Sequence, residues 1–115
     1  GGKPGAENIA SSEASTALIR EVYEKGELVA AICAAPAVVL EPMGILEGRK
    51  ATCFPGFEVR FEKASFVEDR VVRDGKIITS RGPGTAGEFA VAIVRFLLGE
   101  EKAEELRSRT LTVLH

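Results

Sequence analysis

Apolar positions along the chain change period several times, and each change predicts an element. After Ser12, the residues Ala14, Leu18 and Val22 recur every four positions, and Gly26 follows. A serine suits the N-cap, where its oxygen accepts from a free amide, and glycine suits the left-handed residue past a helix end. The spacing predicts a helix over about 12–25 with one buried stripe through those three residues. LVAAI (28–32) is too short and too uniformly apolar for an amphipathic helix. It predicts a strand buried on both faces of a parallel sheet. Cys33 and two alanines come next, then Pro36, which a first helical turn tolerates because an N–H there would have no partner. That helix is expected to run through Val38, Val39 and Leu40 and to weaken near Pro42, with Gly44 and Gly48 marking the exit.

RKATCF (49–54) predicts another short strand, and 55–65 is ambiguous between elements. In RVVRDGKIITS (70–80), two β-branched runs flank Asp74-Gly75, a hairpin signal. Thr85 and Glu88 match the T-x-x-E capping box. Phe89, Ile93 and Leu97, with Ala90, Val94 and Phe96 beside them, predict a helix that Gly99 ends. EEKAEELRSR predicts a second, charged helix packed through Ala103 and Leu106. The opening GGKPGAENIA reads as a loop leaving a strand that precedes it, so the chain is expected to be part of a longer protein. Strands interleaved with helices predict an α/β sandwich.

Composition then narrows the function classes. One domain is expected of 115 residues. A formal charge of −2, with 15 Lys and Arg scattered along the chain, supplies no basic field for nucleic acid. No apolar run approaches the ~20 residues that span a bilayer, and no signal peptide is visible. Neither nucleic acid nor membrane is expected as a partner. Two cysteines and one histidine do not suit a structural zinc site or a secreted disulfide framework. A reducing cytoplasm is the expected location, with no metal. Gly82, Gly84 and Gly87 satisfy G-x-G-x-x-G between a strand and a helix. Pro83 inside the turn, and the lack of an acidic residue at the end of a following strand, argue against a dinucleotide site. No cofactor is expected.

Cys33 is the candidate with chemistry. A thiol between a strand and a helix N-terminus gains from the partial positive charge of the helix end, which favours thiolate. The adjacent free amides, Ala34 first, can hold an oxyanion. Small neighbours permit the sharp turn of a nucleophile elbow. Free cysteine is equally a common core residue, and the local pattern leaves both readings open. Cys53, next to Phe54 in a short strand, reads as packing rather than as a resolving thiol.

GGKPGAENI at the start, AAICAAPAVVL around Cys33, DGKIITSRGPGTAGEFAVAIV at 74–94 and LLGEEKAEEL beyond it resemble the ThiJ/PfpI superfamily. Within it they resemble the branch of the parkinsonism-associated protein deglycase and glyoxalase III. The resemblance runs over essentially the whole chain and is weakest at 55–69. It implies a flavodoxin-like three-layer α/β sandwich with a mostly parallel sheet. Residues 1–115 would form the C-terminal portion of a single such domain, the N-terminal strands and helices lying outside this chain. It further implies a homodimer, Cys33 as nucleophile and redox-sensitive thiol, and an anion pocket lined by the backbone N–H groups of Gly2 and Ala34. Arg81 would be structural or at a subunit contact. The implied activity is cofactor-independent processing of reactive carbonyls, on a small aldehyde or a glycated protein. The alternative is an oxidative-stress sensor or redox-regulated chaperone working through oxidation of Cys33.

Two departures qualify the resemblance. Many members carry His directly after the nucleophile; Ala34 stands there, which disfavours a Cys–His peptidase. The deglycase branch often has His before the proline of the next strand, and here Phe54 precedes Pro55, as in some bacterial relatives. His115 reads as a solvated tail. The acidic residue that touches the sulfur would lie in the N-terminal part, on a separate chain or an excised segment. Glu7 and Glu13 read as loop and helix-start charges.

Overall fold

The computed structural model describes residues 1–114, so the expectation for His115 lies outside the described residues. The chain begins with a helix, α1 (Lys3–Ala10), where the sequence predicts a loop. Pro4 occupies its first turn, where the missing N–H is no loss, and Gly2, at φ 75°, turns the chain into it. Helix α2 (Glu13–Glu24) follows, with Ser12 as N-cap accepting from the Ser15 amide and Gly26 at φ 73° beyond the end. Its inward face differs from the predicted stripe. Leu18 is 60% exposed and Ala14 is exposed, whereas Ile19, Val22 and Tyr23 pack on the core. The four-residue spacing selects a helix; a shift of one residue rotates its face by about 100°.

Strand β1 (Val29–Ile32) has Val29 and Ala31 buried but Ala30 exposed, so it is covered on one face rather than two. It pairs in parallel with β5 (Ile77–Ser80), which pairs antiparallel with β4 (Val71–Asp74), giving the order β1-β5-β4. The predicted hairpin is present. Asp74 pairs with Ile77, so the two-residue loop is Gly75-Lys76, with Gly75 at φ 61° supplying the left-handed residue that such a loop needs. Of the predicted strand 49–54, only β2 (Lys50–Ala51) is laddered, in parallel with β3 (Ser65–Phe66). The stretch between them holds a single 3₁₀ turn, Phe57–Arg60.

The helix after Cys33 is a wide π-type turn over Pro36–Leu40, buried throughout, with Glu41 N–H donating to Pro36 O. Residues 41–48 leave it as turns, as Pro42 and the two glycines predict. Helix α3 (Ala86–Leu98) starts at Thr85 without the predicted capping box: Thr85 Oγ1 accepts from Gly82 N–H and meets Ser80 Oγ, and Glu88 pairs with Arg70. Val91 is its most buried side chain, while Leu97 is 60% exposed. Gly99, at φ 92°, separates α3 from α4 (Glu100–Thr110), which packs through buried Ala103 and part-buried Leu106. Helices α2 and α3 packed on a mixed sheet make the predicted α/β architecture. Among the described residues, no helix is long and apolar enough to cross a membrane.

Candidate active site

Strand β1 ends at Ile32, and Cys33 takes φ 65° before the chain turns into Pro36–Leu40. A left-handed backbone costs a non-glycine residue about 1–2 kcal/mol, so the surroundings must impose it. They do so through both backbone groups of Cys33. Its N–H donates to Ser80 O at 3.0 Å, extending the β1–β5 ladder, and its carbonyl accepts from Phe54 N–H at 2.8 Å. Beyond it, Ala34 O accepts from Ala37 and Val38 N–H, which starts the helical turn at once. Ala34 and Ala35 are buried, and Cys33 itself is half-buried. This is the geometry of a nucleophile elbow, in which a strained strand-to-helix turn presents the side chain.

Gly1 lies against this elbow. A Cβ placed on it would stand 3.4 Å from Ile32 Cγ2 and 3.6 Å from Cys33 Cβ, ordinary van der Waals contact, so the start of the chain packs directly on the elbow. Of the predicted anion-pocket residues, Ala34 follows Cys33 directly. Gly1 brings the start of the chain against it, but Gly2 turns away into α1 at φ 75° with nothing within 4 Å of its Cβ position. Beside β1, a groove of about 190 Å³ is lined by Gly1, Ile9, Ile32, Ala35 and Phe89 among others. A larger cleft of about 650 Å³, lined by Glu68, Asp69, Arg70, Glu88 and Arg95, does not include Cys33.

The second thiol is different in kind. Cys53 is fully buried, as a packing residue should be, and its surroundings keep it protonated. Burial first, then the charge of Glu58, pushes it up to about 11, against the opposing pull of Arg81. Both cysteines are free thiols.

Sequence reasoning gave Arg81 no chemical part. The structure places its Nε 3.0 Å from Cys53 O and its guanidinium 5.5 Å from the centre of the Phe66 ring. The available signal was an arginine directly after a fully buried strand and before a glycine turn. Phe54, which stands where a base was sought, is 39% exposed and lies on the following turn: a Cβ on Gly82 would come within 3.3 Å of its ring. Glu7 and Glu13 are exposed on α1 and at the start of α2. No group of three His, Cys, Asp or Glu among the described residues is arranged to hold a metal ion.

The model of the DJ-1/PfpI family matches residues 1–96. The chain belongs to the DJ-1/PfpI family. Protein DJ-1 homolog B of Arabidopsis thaliana is 48% identical over 111 residues, covering 96% of this chain and 25% of that protein. The glutathione-independent glyoxalase DJR-1.2 of Caenorhabditis elegans is 37% identical over 107 residues, covering 91% of this chain and 56% of its own. The oxidised DJ-1 of Toxoplasma gondii superposes with a TM-score of 0.92 at 40% identity, over 99% of this chain and 62% of its own. The chain thus spans between a quarter and about three fifths of these DJ-1/PfpI relatives.

Proposed function

We propose that Cys33 is the nucleophile of a cofactor-independent conversion of small reactive carbonyls, of the glutathione-independent glyoxalase type. The observation that carries this reading is the φ 65° elbow at Cys33, which presents one thiol while the other is buried. The Cys33 thiolate adds to the aldehyde carbon of methylglyoxal, and the resulting alkoxide takes a proton to give a hemithioacetal. The amides of Gly2 and Ala34 stabilise the oxyanion as it forms. The proton on the former aldehyde carbon then moves to the neighbouring carbonyl carbon and the hydroxyl proton passes to that carbonyl's oxygen, which leaves a thioester of lactate. Water hydrolyses the thioester, releasing lactate and the free thiol. In this reading the proton carrier, a carboxylate, comes from outside the 115 residues, and the complete protein is a homodimer. A relative named as a glutathione-independent glyoxalase supports the class. The test is lactate formation from methylglyoxal by the complete protein and its Cys33→Ser variant. Loss of turnover in the variant is expected; equal rates overturn the reading.

A second reading, an oxidative-stress sensor, is favoured by the contrast between the two thiols. A half-buried Cys33 beside a buried, protonated Cys53 directs peroxide to Cys33, and the structure of the Toxoplasma gondii relative is of its oxidised form. Selective gain of two oxygens at Cys33 without methylglyoxal turnover would favour this reading over the first.

A further inference from the structure

The peptide that joins Cys53 to Phe54 makes two hydrogen bonds, one at each end. Its N–H donates to Cys33 O at 2.8 Å, and its carbonyl accepts from Arg81 Nε at 3.0 Å. Arg81 in turn follows Ser80, whose carbonyl accepts from Cys33 N–H at 3.0 Å. The three contacts close a ring of backbone and side chain around Cys33. From Cys33 it passes through Ser80, Arg81 and the Cys53–Phe54 peptide and returns to Cys33. Resting on this ring and on the reading of Cys33 as nucleophile, we infer that Arg81 is a positioning residue, holding the Cys33 elbow through the Cys53–Phe54 peptide.

The physical reason has two parts. A cationic donor on a peptide carbonyl polarises that peptide, so its N–H becomes a stronger donor to the next acceptor. Here the next acceptor is the Cys33 carbonyl, on the residue whose backbone is strained. The planar guanidinium is itself held in place by Phe66, over whose ring it stacks. Strand β3 therefore braces the elbow at one remove, through Phe66, Arg81 and a single peptide. Without Arg81, the Cys53–Phe54 peptide keeps only its weaker, unpolarised bond to Cys33 O. Cys33 then relaxes from φ 65° into an ordinary basin, and its sulfur turns away from the surface.

The test reads thiol accessibility in the complete protein, residue by residue. Iodoacetamide labelling of Cys33 and of Cys53 is followed by mass mapping in the wild type, Arg81→Ala and Arg81→Lys. Arg81→Ala is expected to slow Cys33 labelling by about tenfold, the worth of one charge-assisted hydrogen bond. Cys53 should stay protected. Arg81→Lys should recover part of the rate, as should added guanidinium ion with Arg81→Ala. An unchanged Cys33 rate overturns the inference. So does a loss accompanied by fast Cys53 labelling, which marks general loosening rather than positioning. If Arg81→Ala does not fold, Arg81→Gln is held to the same outcomes. A wild-type Cys33 that labels no faster than Cys53 overturns the nucleophile reading itself, and the positioning role with it.

Discussion

At Cys33 the backbone carries a conformation that glycine tolerates and cysteine does not, and the sign of a familiar substitution should reverse there. In a helix interior, glycine is less stable than alanine by about 1 kcal/mol. At φ 65°, Cys33→Gly should instead be more stable than Cys33→Ala by about 1 kcal/mol, as read by urea unfolding of the complete protein. Equal stabilities would mean that the elbow is not strained. Cys53 makes a different prediction. Its thiol is raised from 9.0 to about 11 in the folded state. Below pH 9 both states keep the proton, and the stabilising preference is fully present. As pH rises from 9 toward 11, the unfolded chain loses its proton first, so stability falls across that window. The melting temperature of the complete protein should therefore decline more steeply between pH 9 and 11 than that of its Cys53→Ala variant. Parallel curves would count against the buried thiol as the cause.

At the scale of elements, two contacts decide how the segments around the site are arranged. Glu41 is buried at the end of the Pro36–Leu40 turn, and its Oε1 accepts from Glu62, Lys63 and Ala64 N–H at 2.7, 2.7 and 3.2 Å. One carboxylate oxygen thus ties the helix that follows Cys33 to the loop that leads into β3. Glu41→Ala leaves three donors without their acceptor and should cost about 3 kcal/mol. Amide exchange should accelerate at 62–64, and Glu41→Gln, which keeps a carbonyl oxygen, should cost less. Helix α2 supplies the second comparison. Ile19→Ala should destabilise by about 2 kcal/mol, against less than about 0.5 kcal/mol for Leu18→Ala on the exposed face. The opposite order would restore the stripe that the four-residue spacing predicts.

For the whole molecule, β1 is the decisive strand. It is the end strand of its sheet, one of its faces is open at Ala30, and an apolar groove runs beside it. An end strand with unpaired backbone groups and open apolar surface invites association. The 115-residue chain by itself should therefore unfold over a broad range and bind an apolar dye; a sharp melt with coincident probes would contradict this. Much of the fold was legible beforehand. Ser12, Gly26, Gly75 and Gly99 mark element ends because capping and positive φ are local demands that a residue type meets or fails. The elbow was legible for the same reason, as a thiol between an apolar run and a proline-started turn. Local signals failed where a choice depended on a distant partner. The inward face of α2, the covered face of β1, and the diversion of Thr85 and Glu88 from their capping box to Ser80 and Arg70 are of this kind. By itself, then, the sequence determined where elements begin and end and that Cys33 sits at a strand–helix junction. Tertiary structure alone decided between the two readings of Cys33, and that Ser80, Arg81 and the Cys53–Phe54 peptide close around it. Those contacts join residues tens of positions apart, and only packing determines which of the available donors and acceptors meet.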